Sequence, residues 1–387
     1  MKYILLLMAM MNMAPEPVTI PTEYVIEQVA QIPSPTATAN FLNHGNRTLV
    51  KCGTTGALYP VPNDAKTWLF VGGFAWQEFE KSRTLYIRNF YNLFESRDLV
   101  FPNDGLHNGI SSTFFHKESG YVYVLFTSPN TVSAVNPVTL EWHDVAHIPY
   151  ESNGQLIVHR DSVYVATQTS PSRLYRYNVY GVDDLQGYTE FDPPMAHMII
   201  AWGDWIYTTN GDLNQPITLT AHDWQTCEAQ FQTDFSDLGQ DIGTHTAAIV
   251  PGPTESEAYL VLGPEGATQH SGENQALIWV DLSNWSRRGL VKPFGDDFQE
   301  PIWGVKYTHG LLWVTYGCAD GGRYVAFDPT DNWKIKRDIK LPPQFSYING
   351  DATIVGNELV GTRFEFGASG LPSTMFRLKM LDVTYEK

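Results

Sequence analysis

One pattern recurs seven times along this chain and constrains its fold more than any other feature. Each repeat has an apolar run rich in β-branched and aromatic residues, a polar gap, a second such run that ends in Asn, Asp or His, and a further short strand. The polar ends are Asn89, Asn136, Asn178, His222, Asp281, Asp328 and Asp382. They lie 42 to 59 residues apart, an interval typical of propeller blades, so the sequence predicts seven four-stranded blades.

The predicted second and third strands support this interpretation. Second strands such as Tyr121–Val124 and Leu312–Thr315 are continuous apolar runs, which suits strands buried on both faces between stacked blades. Third strands end in residues that tolerate tight turns and bond their own backbone, so we expect each polar end to cap the following turn.

The seventh repeat has no fourth strand of its own, and a segment at the other end of the chain resembles the missing one. Val25–Pro33 matches the fourth strand of the second repeat, Trp142–Pro149. We therefore predict that the N-terminal strand completes the last blade and removes the exposed sheet edges. The prediction is a single all-β domain over residues 22–387, a seven-bladed β-propeller of four-stranded antiparallel blades, preceded by an apolar N-terminal segment at residues 1–21.

The second repeat also carries a family resemblance. Its pieces Val122-Tyr-Val, Asn130-Thr-Val-Ser, Asn136-Pro-Val-Thr-Leu and Val145-Ala-His-Ile-Pro resemble the YVTN-type repeat of surface-layer-like seven-bladed β-propellers. The resemblance implies the propeller fold. It implies no catalytic residue, because the repeats of that family serve many roles.

Composition excludes some functions. The formal net charge is −17 and no Lys/Arg cluster stands out, which disfavours nucleic-acid binding and attraction to anionic membranes. No phosphate-binding loop or nucleophile elbow occurs, so no cofactor is predicted. Cys52, Cys227 and Cys318 fall in three different repeats without a metal-type spacing, and we expect buried free thiols.

The N-terminal segment allows two interpretations. Residues 1–14 have a basic start, an apolar run and Ala14 as a possible cleavage residue, like a short secretory leader, although Asn12 and Pro15 disfavour cleavage. If the segment is retained, it is too short to span a bilayer and needs a protein surface to bury it. The partner-binding candidates are then Leu5, Leu6, Leu7 and Met8, together with Trp76 and Phe79 of the first repeat.

One mouth of the central channel is the place where we expect any ligand chemistry. The loops that enter the innermost strands, and an insertion between Gly263 and Asn274, bring imidazoles and carboxylates to comparable positions. These groups suit a divalent transition metal or general acid–base work, but polar residues at loop ends also commonly bond local backbone. The candidates are His107, His197, His245, His270, Glu300 and Asp351.

Three functions remain open from the sequence. The first is a non-enzymatic scaffold that binds or organises partner proteins, as a structural component of a large assembly such as a virion tail. The second is a secreted or periplasmic enzyme, a lyase or metal-dependent hydrolase, with a His/Glu site at the channel mouth. The third is a secreted carbohydrate- or peptide-binding propeller, suggested by the 13% aromatic content. The localisation follows the fate of residues 1–14: a virion or other extracellular assembly if they are retained, and secretion or the periplasm if they are cleaved.

Overall fold

The computed structural model describes residues 22–35, 47–52, 66–72, 83–127, 130–149, 154–192, 196–210, 217–238, 244–252, 257–264, 276–292, 294, 300, 302–317, 320–346, 348–363 and 372–381. Side chains are not described at residues 32–35, 47–52, 66, 197, 210, 244–245, 264, 349–351 and 372–373. This part of the chain is almost entirely β-structure, with two short 3₁₀ helices at Ser236–Leu238 and Pro343–Phe345.

The strands follow one another in seven groups after an initial strand, β1 (Tyr24–Pro35). Blade one contains β2 (Arg47–Cys52), β3 (Lys66–Gly72), β4 (Thr84–Asn89), and an outer strand in two pieces, β5 (Asn92–Ser96) and β6 (Leu99–Val100). Blade two contains β7 (Ile110–His116), β8 (Tyr121–Phe126), β9 (Asn130–Val135) and β10 (Trp142–Ile148). Blade three contains β11 (Gly154–His159), β12 (Ser162–Thr167), β13 (Ser172–Asn178) and β14 (Leu185–Phe191).

The remaining blades repeat this order. Blade four contains β15 (Ala196–Trp202), β16 (Trp205–Asn210), β17 (Thr218–Asp223) and β18 (Ala229–Asp234). Blade five contains β19 (Thr244–Pro251), β20 (Ala258–Pro264), β21 (Leu277–Asp281) and β22 (Arg288–Val291). Blade six contains β23 (Ile302–Thr308), β24 (Leu311–Tyr316), β25 (Arg323–Asp328) and β26 (Lys334–Lys340), and blade seven contains β27 (Ile348–Val355), β28 (Glu358–Arg363) and β29 (Pro372–Met380).

Each blade is an antiparallel meander in which consecutive strands pair. The first strand of each blade contacts the first strand of the next, and β27 contacts β2, so seven inner strands form a closed ring around the channel. The predicted seven-bladed β-propeller of four-stranded antiparallel blades is therefore confirmed.

The N-terminal strand closes the ring as the sequence predicts. β1 pairs antiparallel with β29, from Tyr24 opposite Met380 to Pro35 opposite Pro372, and becomes the outer strand of blade seven. It also bonds blade one, because the Gln28 side chain accepts a hydrogen bond from the Leu93 backbone N–H at 2.8 Å. On the other side, the Thr22 N–H donates to the Asp338 carbonyl of blade six at 2.8 Å. β1 and the short segment before it thus join three blades.

Hydrophobic packing between neighbouring blades forms the core. Seven clusters of buried side chains occur among the described residues, one at each junction between two adjacent blades. The cluster between blades seven and one contains Ala30 and Met375 on one side and Leu69 and Tyr86 on the other. Because each blade buries both faces of its middle strands, the continuous apolar runs of the sequence are explained.

The polar residues at the ends of the third strands cap turns, as expected. The side-chain oxygens of Asn89, Asn136, Asn178, Asp281 and Asp328 each accept a backbone N–H two residues further on, at 2.9–3.0 Å. Blade four differs by one residue, because Asp223 caps the turn by accepting the Gln225 N–H at 2.9 Å. The predicted cap His222 is instead buried. The predicted cap Asp382 lies outside the described residues.

Outer strands carry irregularities that protect their free edges. An extra residue interrupts the pairing of the outer strand in five blades, at Glu27, Val145, Gln186, Gln230 and Lys336. A β-bulge twists a strand and breaks the row of backbone groups that another strand would need for pairing. The rim of this ring is therefore a poor template for strand addition.

Neighbouring positions on β1 provide a test of the closure. Ala30 is 7% exposed and packs in the blade seven–one cluster, whereas Val29 is 46% exposed. We expect Ala30→Asp to reduce the free energy of unfolding by about 3 kcal/mol or more, because it buries an unpaired carboxylate. The matched variant Val29→Asp should change it by less than about 1 kcal/mol. Urea unfolding followed by circular dichroism measures both, and equal losses would contradict the packing of β1 against blade one.

Candidate functional site

The channel entrance has a repeated backbone feature at the start of the inner strands. An extra residue interrupts the pairing at Ser111, His197, His245 and Trp303, and residues 350–352 form a longer irregularity in β27. Bulges of this kind re-aim side chains and are common next to functional sites. His197 and His245 therefore occupy equivalent backbone positions in the adjacent blades four and five, and Asp351 lies within the irregular stretch of blade seven.

Hydroxyl groups next to these bulges join one blade to the next. Thr246 Oγ1 accepts the backbone N–H of Val305 at 2.8 Å, and Ser112 Oγ accepts that of Leu156 at 3.5 Å. Each hydroxyl follows a bulge in one inner strand and satisfies an N–H of the next inner strand. The entrance is thus held by blade-to-blade hydrogen bonds as well as by packing.

The other sequence candidates are distributed differently. Glu300 is half-buried and lies two residues before β23. His270, the N-terminal residues Leu5, Leu6, Leu7 and Met8, and the aromatic residues Trp76 and Phe79 lie outside the described residues. Cys227 is a buried free thiol, and burial raises its pKa to about 12.

His107 does not lie at the channel entrance. Its side chain is 1% exposed and packs against the rings of Phe101, Phe126 and Trp142. Nδ1 lies 2.9 Å from Asp104 Oδ2 and Nε2 lies 3.0 Å from Asp144 Oδ1. Because Trp142 and Asp144 belong to the outer strand β10, this imidazole lies toward the rim of blade two. Both ring nitrogens are occupied by carboxylates, so the geometry supports a structural role.

The charges of this trio reinforce one another. Burial lowers the pKa of His107, but the hydrogen bonds and negative charges of Asp144 and Asp104 outweigh it and hold the pKa above the ordinary value. Burial raises the pKa of Asp144, but bonds from His107 and Ser133 more than offset it, so the pKa of this carboxyl stays below its usual range. Both shifts favour the charged forms of the two groups, and a protonated His107 donates to both carboxylates.

The trio continues into blade three. Asp144 Oδ2 lies 3.5 Å from His147 Nε2, and His147 Nδ1 lies 3.1 Å from Asp183 Oδ2. The backbone N–H of His147 donates to Asp183 as well, at 2.7 Å. Alternating carboxylates and imidazoles, from Asp104 to Asp183, therefore link the outer parts of blades two and three; we call them the acid–imidazole chain.

Neither a three-residue metal-type cluster nor a membrane-spanning helix occurs among the described residues. Within this part of the chain, no group of three or more His, Cys, Asp or Glu side chains is arranged to hold a metal ion. No helix in the described ranges has the length and apolarity needed to cross a bilayer.

A groove of about 790 Å³ opens on the rim between blades four and five. Blade four contributes residues of β16, β17 and β18, and blade five contributes the turn before β22 and the start of that strand. Its aromatic side chains are Trp205, Tyr207, Phe231 and Trp285, and its other lining residues are Ala221, Gln230, Gln232, Thr233, Leu282, Ser283, Ser286 and Arg288. We call this the aromatic groove.

The rings in the aromatic groove meet at an angle. Phe231 contacts Trp205 with centroids 5.3 Å apart and planes at 65°, and Trp285 with centroids 6.3 Å apart and planes at 62°. Phe231 is 57% exposed, whereas Tyr207 is buried at the base of the groove, where burial raises its pKa. An exposed ring between two indoles offers apolar surface that the fold itself does not cover.

The one charged lining residue is already neutralised. Arg288 donates to the Thr233 hydroxyl at 2.7 Å and to the Asp234 carbonyl at 2.8 Å, and it pairs with the Asp237 carboxylate at 2.9 Å. Its guanidinium also lies 5.3 Å from the centre of the Phe235 ring. The groove is therefore electrically neutral although the protein is strongly acidic.

The sequence pattern does not reveal this groove. Trp205 belongs to a predicted second strand and Trp285 to a predicted turn, 80 positions apart in the numbering of the chain. Only the stacking of two neighbouring blades brings them together. The one signal in the sequence is the 13% aromatic content, which does not separate a groove from ordinary packing between blades.

The fold is similar to those of solved structures with little sequence identity. A chain of the crystal structure of the mitotic checkpoint complex matches with a TM-score of 0.63 and 12% identity, over 95% of this chain and 96% of that chain. A chain of the structure of YCF48 bound to D1 peptide matches with a TM-score of 0.54 and 10% identity, over 95% of this chain and 100% of that chain. No protein-family model and no curated protein matches the sequence. At these identities the likeness shows the fold.

The acid–imidazole chain makes stability depend on pH. The raised pKa of His107 gives a stabilisation that is complete below the unfolded value of about 6.5 and is lost as the pH rises through the folded value. The lowered pKa values of Asp104 and Asp144 give a stabilisation that is lost as the pH falls through their folded values. Stability contributed by this trio should therefore be greatest between these two windows.

The variant His107→Gln tests this assignment. It should cost about 1–3 kcal/mol near pH 6, because the partly buried Asp144 carboxylate loses a charged donor. As the pH rises above about 6, the wild-type chain should lose stability because His107 loses its proton, and His107→Gln should lack this loss. Urea unfolding at a series of pH values between about 5.5 and about 8.5 measures the difference. The control is His143→Gln, since His143 is exposed on β10 beside Asp144. An unchanged pH profile in His107→Gln would contradict the ion pair.

Proposed function

We propose that this chain is a non-enzymatic propeller that binds an extended segment of a partner protein in the aromatic groove. The observation that carries the proposal is the exposed Phe231 ring between Trp205 and Trp285, in a groove of about 790 Å³. This volume lies within the range of about 300–1,000 Å³ that is typical of ligand sites. Aromatic anchors in such pockets commonly supply most of the binding energy of an interface.

The lining of the groove favours binding over catalysis. Among the described residues that line it, there is no carboxylate, imidazole or thiol, and the single guanidinium is engaged by blade four. General acid–base or covalent chemistry needs such groups within reach of a substrate. Apolar rings with neutral amide and hydroxyl groups around them provide contact area and orientation instead.

The comparisons support the same interpretation at the level of the fold. In the YCF48 structure, a propeller of the same overall size is bound to a peptide. The more specific role, a structural component of a large assembly such as a virion tail, stays a prediction from residues 1–14, which lie outside the described residues.

Selection from a random peptide library tests the proposal even though the partner is unidentified. Peptides selected on the full chain should bind it with micromolar affinity, measured by fluorescence anisotropy of the labelled peptide. Phe231→Ala should weaken binding at least about tenfold, because an aromatic anchor contributes about 2 kcal/mol or more. The matched control is Tyr180→Ala, since Tyr180 is 72% exposed in a turn of blade three.

Two outcomes would contradict the proposal. One is a selection that yields no peptide above background, and the other is a set of peptides that bind the wild-type chain and Phe231→Ala equally. Because Phe231 is an exposed ring on an outer strand, we expect the melting temperature of Phe231→Ala to lie within a few degrees of the wild-type value. Thermal unfolding checks this before binding is measured.

A second candidate function rests on the bulges at the channel entrance. His197 and His245 occupy equivalent positions in adjacent blades, and neutral imidazoles are good ligands for divalent transition metals. This is the site that the alternative enzyme, a lyase or metal-dependent hydrolase, requires. Calorimetric titration with Zn²⁺ should then show stoichiometric binding that is lost in His197→Ala and His245→Ala and retained in His143→Ala. A wild-type chain that binds no Zn²⁺ at micromolar concentration would contradict it.

A further inference from the structure

We infer that the aromatic groove takes a neutral, proline-rich segment in the polyproline II conformation, flanked by basic residues. This inference rests on the proposed function and adds the chemistry of the partner. Three independent features of the described residues carry it: the interrupted edge of β18, the angles between the rings, and the distribution of charge.

The edge of β18 does not favour a partner that binds as an added strand. Gln230 is the extra residue of a bulge, since Phe231 lies opposite Ala221 and Ala229 opposite His222. Further along, the Asp234 carbonyl is occupied by the Arg288 guanidinium at 2.8 Å. A partner strand needs a continuous row of backbone groups, which is broken here at both places. The partner must then be held through contacts with its side chains and isolated carbonyls.

A polyproline II segment meets this requirement. It has no internal hydrogen bonds and its conformation is fixed before binding, so little conformational entropy is lost when it docks. Grooves lined with aromatic side chains are the usual receptors of such segments. The indole N–H groups of Trp205 and Trp285 and the side-chain amide of Gln230 can donate to its exposed carbonyls, whereas the hydroxyls of Ser283 and Ser286 already donate to Asp281 and Asn284.

The arrangement of the rings favours pyrrolidine rings over sugars. A sugar stacks on one broad exposed ring face, whereas Phe231 stands at 65° to Trp205 and 62° to Trp285. The edge of one ring therefore covers part of the face of the next, and the rings form notches. Small, rigid apolar rings that repeat along a segment fit such notches better than a continuous flat surface does.

The charge distribution determines the residues that flank the segment. The groove itself is neutral because Arg288 is paired with Asp237. Exposed carboxylates lie at both ends of β18, with Glu228 just before the strand and Asp234 as its last residue, and the chain has a net charge of −17. A partner with Lys or Arg on either side of its proline-rich core is attracted by this field, and one with Asp or Glu is repelled.

Synthetic peptides test the inference directly. The probe is a proline octamer with two lysines at each end, and the matched probe has glutamates in place of the lysines. A third probe keeps the lysines and replaces the prolines with alternating Val and Thr, which prefer strands. We expect the lysine–proline probe to bind the full chain at least about tenfold more tightly than either of the others, with affinity that falls as salt is raised.

Variants assign the binding to the groove. Phe231→Ala should weaken the lysine–proline probe at least about tenfold, whereas Tyr180→Ala should leave it unchanged. Trp285→Phe should weaken binding of the lysine–proline probe less than Phe231→Ala does. This milder change is chosen so that the variant still folds. Equal binding to Phe231→Ala, or stronger binding of the Val–Thr probe, would overturn the inference.

The outcomes separate this inference from the proposed function. If the binding of library-selected peptides depends on Phe231 but the peptides contain no proline, the inference is wrong and the proposed function stands. If no peptide depends on Phe231, both are wrong. A glycan array tests the remaining alternative, a carbohydrate ligand. An oligosaccharide that binds the wild-type chain and not Phe231→Ala would replace the peptide as the ligand of the groove.

Discussion

Each blade of this protein buries the faces of its middle strands against its two neighbours, so no blade has a complete core by itself. Seven such interfaces exist only if the ring is closed, and closure depends on the pairing of β1 with β29. Without it, β29 would present a free edge, and the cluster that contains Ala30 and Met375 would be open to water. The hydrophobic effect therefore acts on the ring as a whole, because opening one junction exposes two blade faces.

The same geometry determines where polar and apolar groups remain available. Inner strands are close together, and hydroxyl groups such as Thr246 bond the adjacent strand at the entrance. Toward the rim, neighbouring blades diverge. Side chains on the outer strands there either bond groups of the next blade, are covered by it, or remain in contact with water. Between blades two and three the acid–imidazole chain bonds this region, whereas between blades four and five Phe231 stays exposed.

The sequence predicts the repeat well because the repeat depends on local interactions, namely the burial of each strand and the capping of each turn. Strands buried on both faces are continuous apolar runs, and turns after them need a side-chain acceptor, which explains Asn136, Asn178 and Asp328. In blade four the prediction fails by one residue, since His222 and Asp223 are both polar. Burial lowers the pKa of His222 to about 4, so the neutral ring donates to the Cys227 carbonyl and accepts from Thr208, and only the Asp223 carboxylate is free to cap.

The sites are predicted less well because they depend on distances between repeats. His107 lies in a loop that enters an inner strand, which suggests the channel, yet two carboxylates and three aromatic rings hold it near the rim. Nothing in the order of residues distinguishes these two positions. The aromatic groove depends on Trp205 and Trp285 from different blades, and each alone resembles an ordinary core residue. By contrast, the equivalence of His197 and His245 follows from the repeat itself and agrees with the register of β15 and β19.

The contrast between the acid–imidazole chain and the aromatic groove explains why we propose the groove as the binding site. In the acid–imidazole chain, the Asp144 carboxylate already bonds His107 and lies 3.5 Å from His147, so a ligand would have to displace these contacts before it formed new ones. In the groove, Arg288 is satisfied by blade four and the exposed Phe231 surface is in contact with water. Covering that ring releases water without breaking any bond of the fold, and this difference in free energy favours the groove as the place where a partner docks.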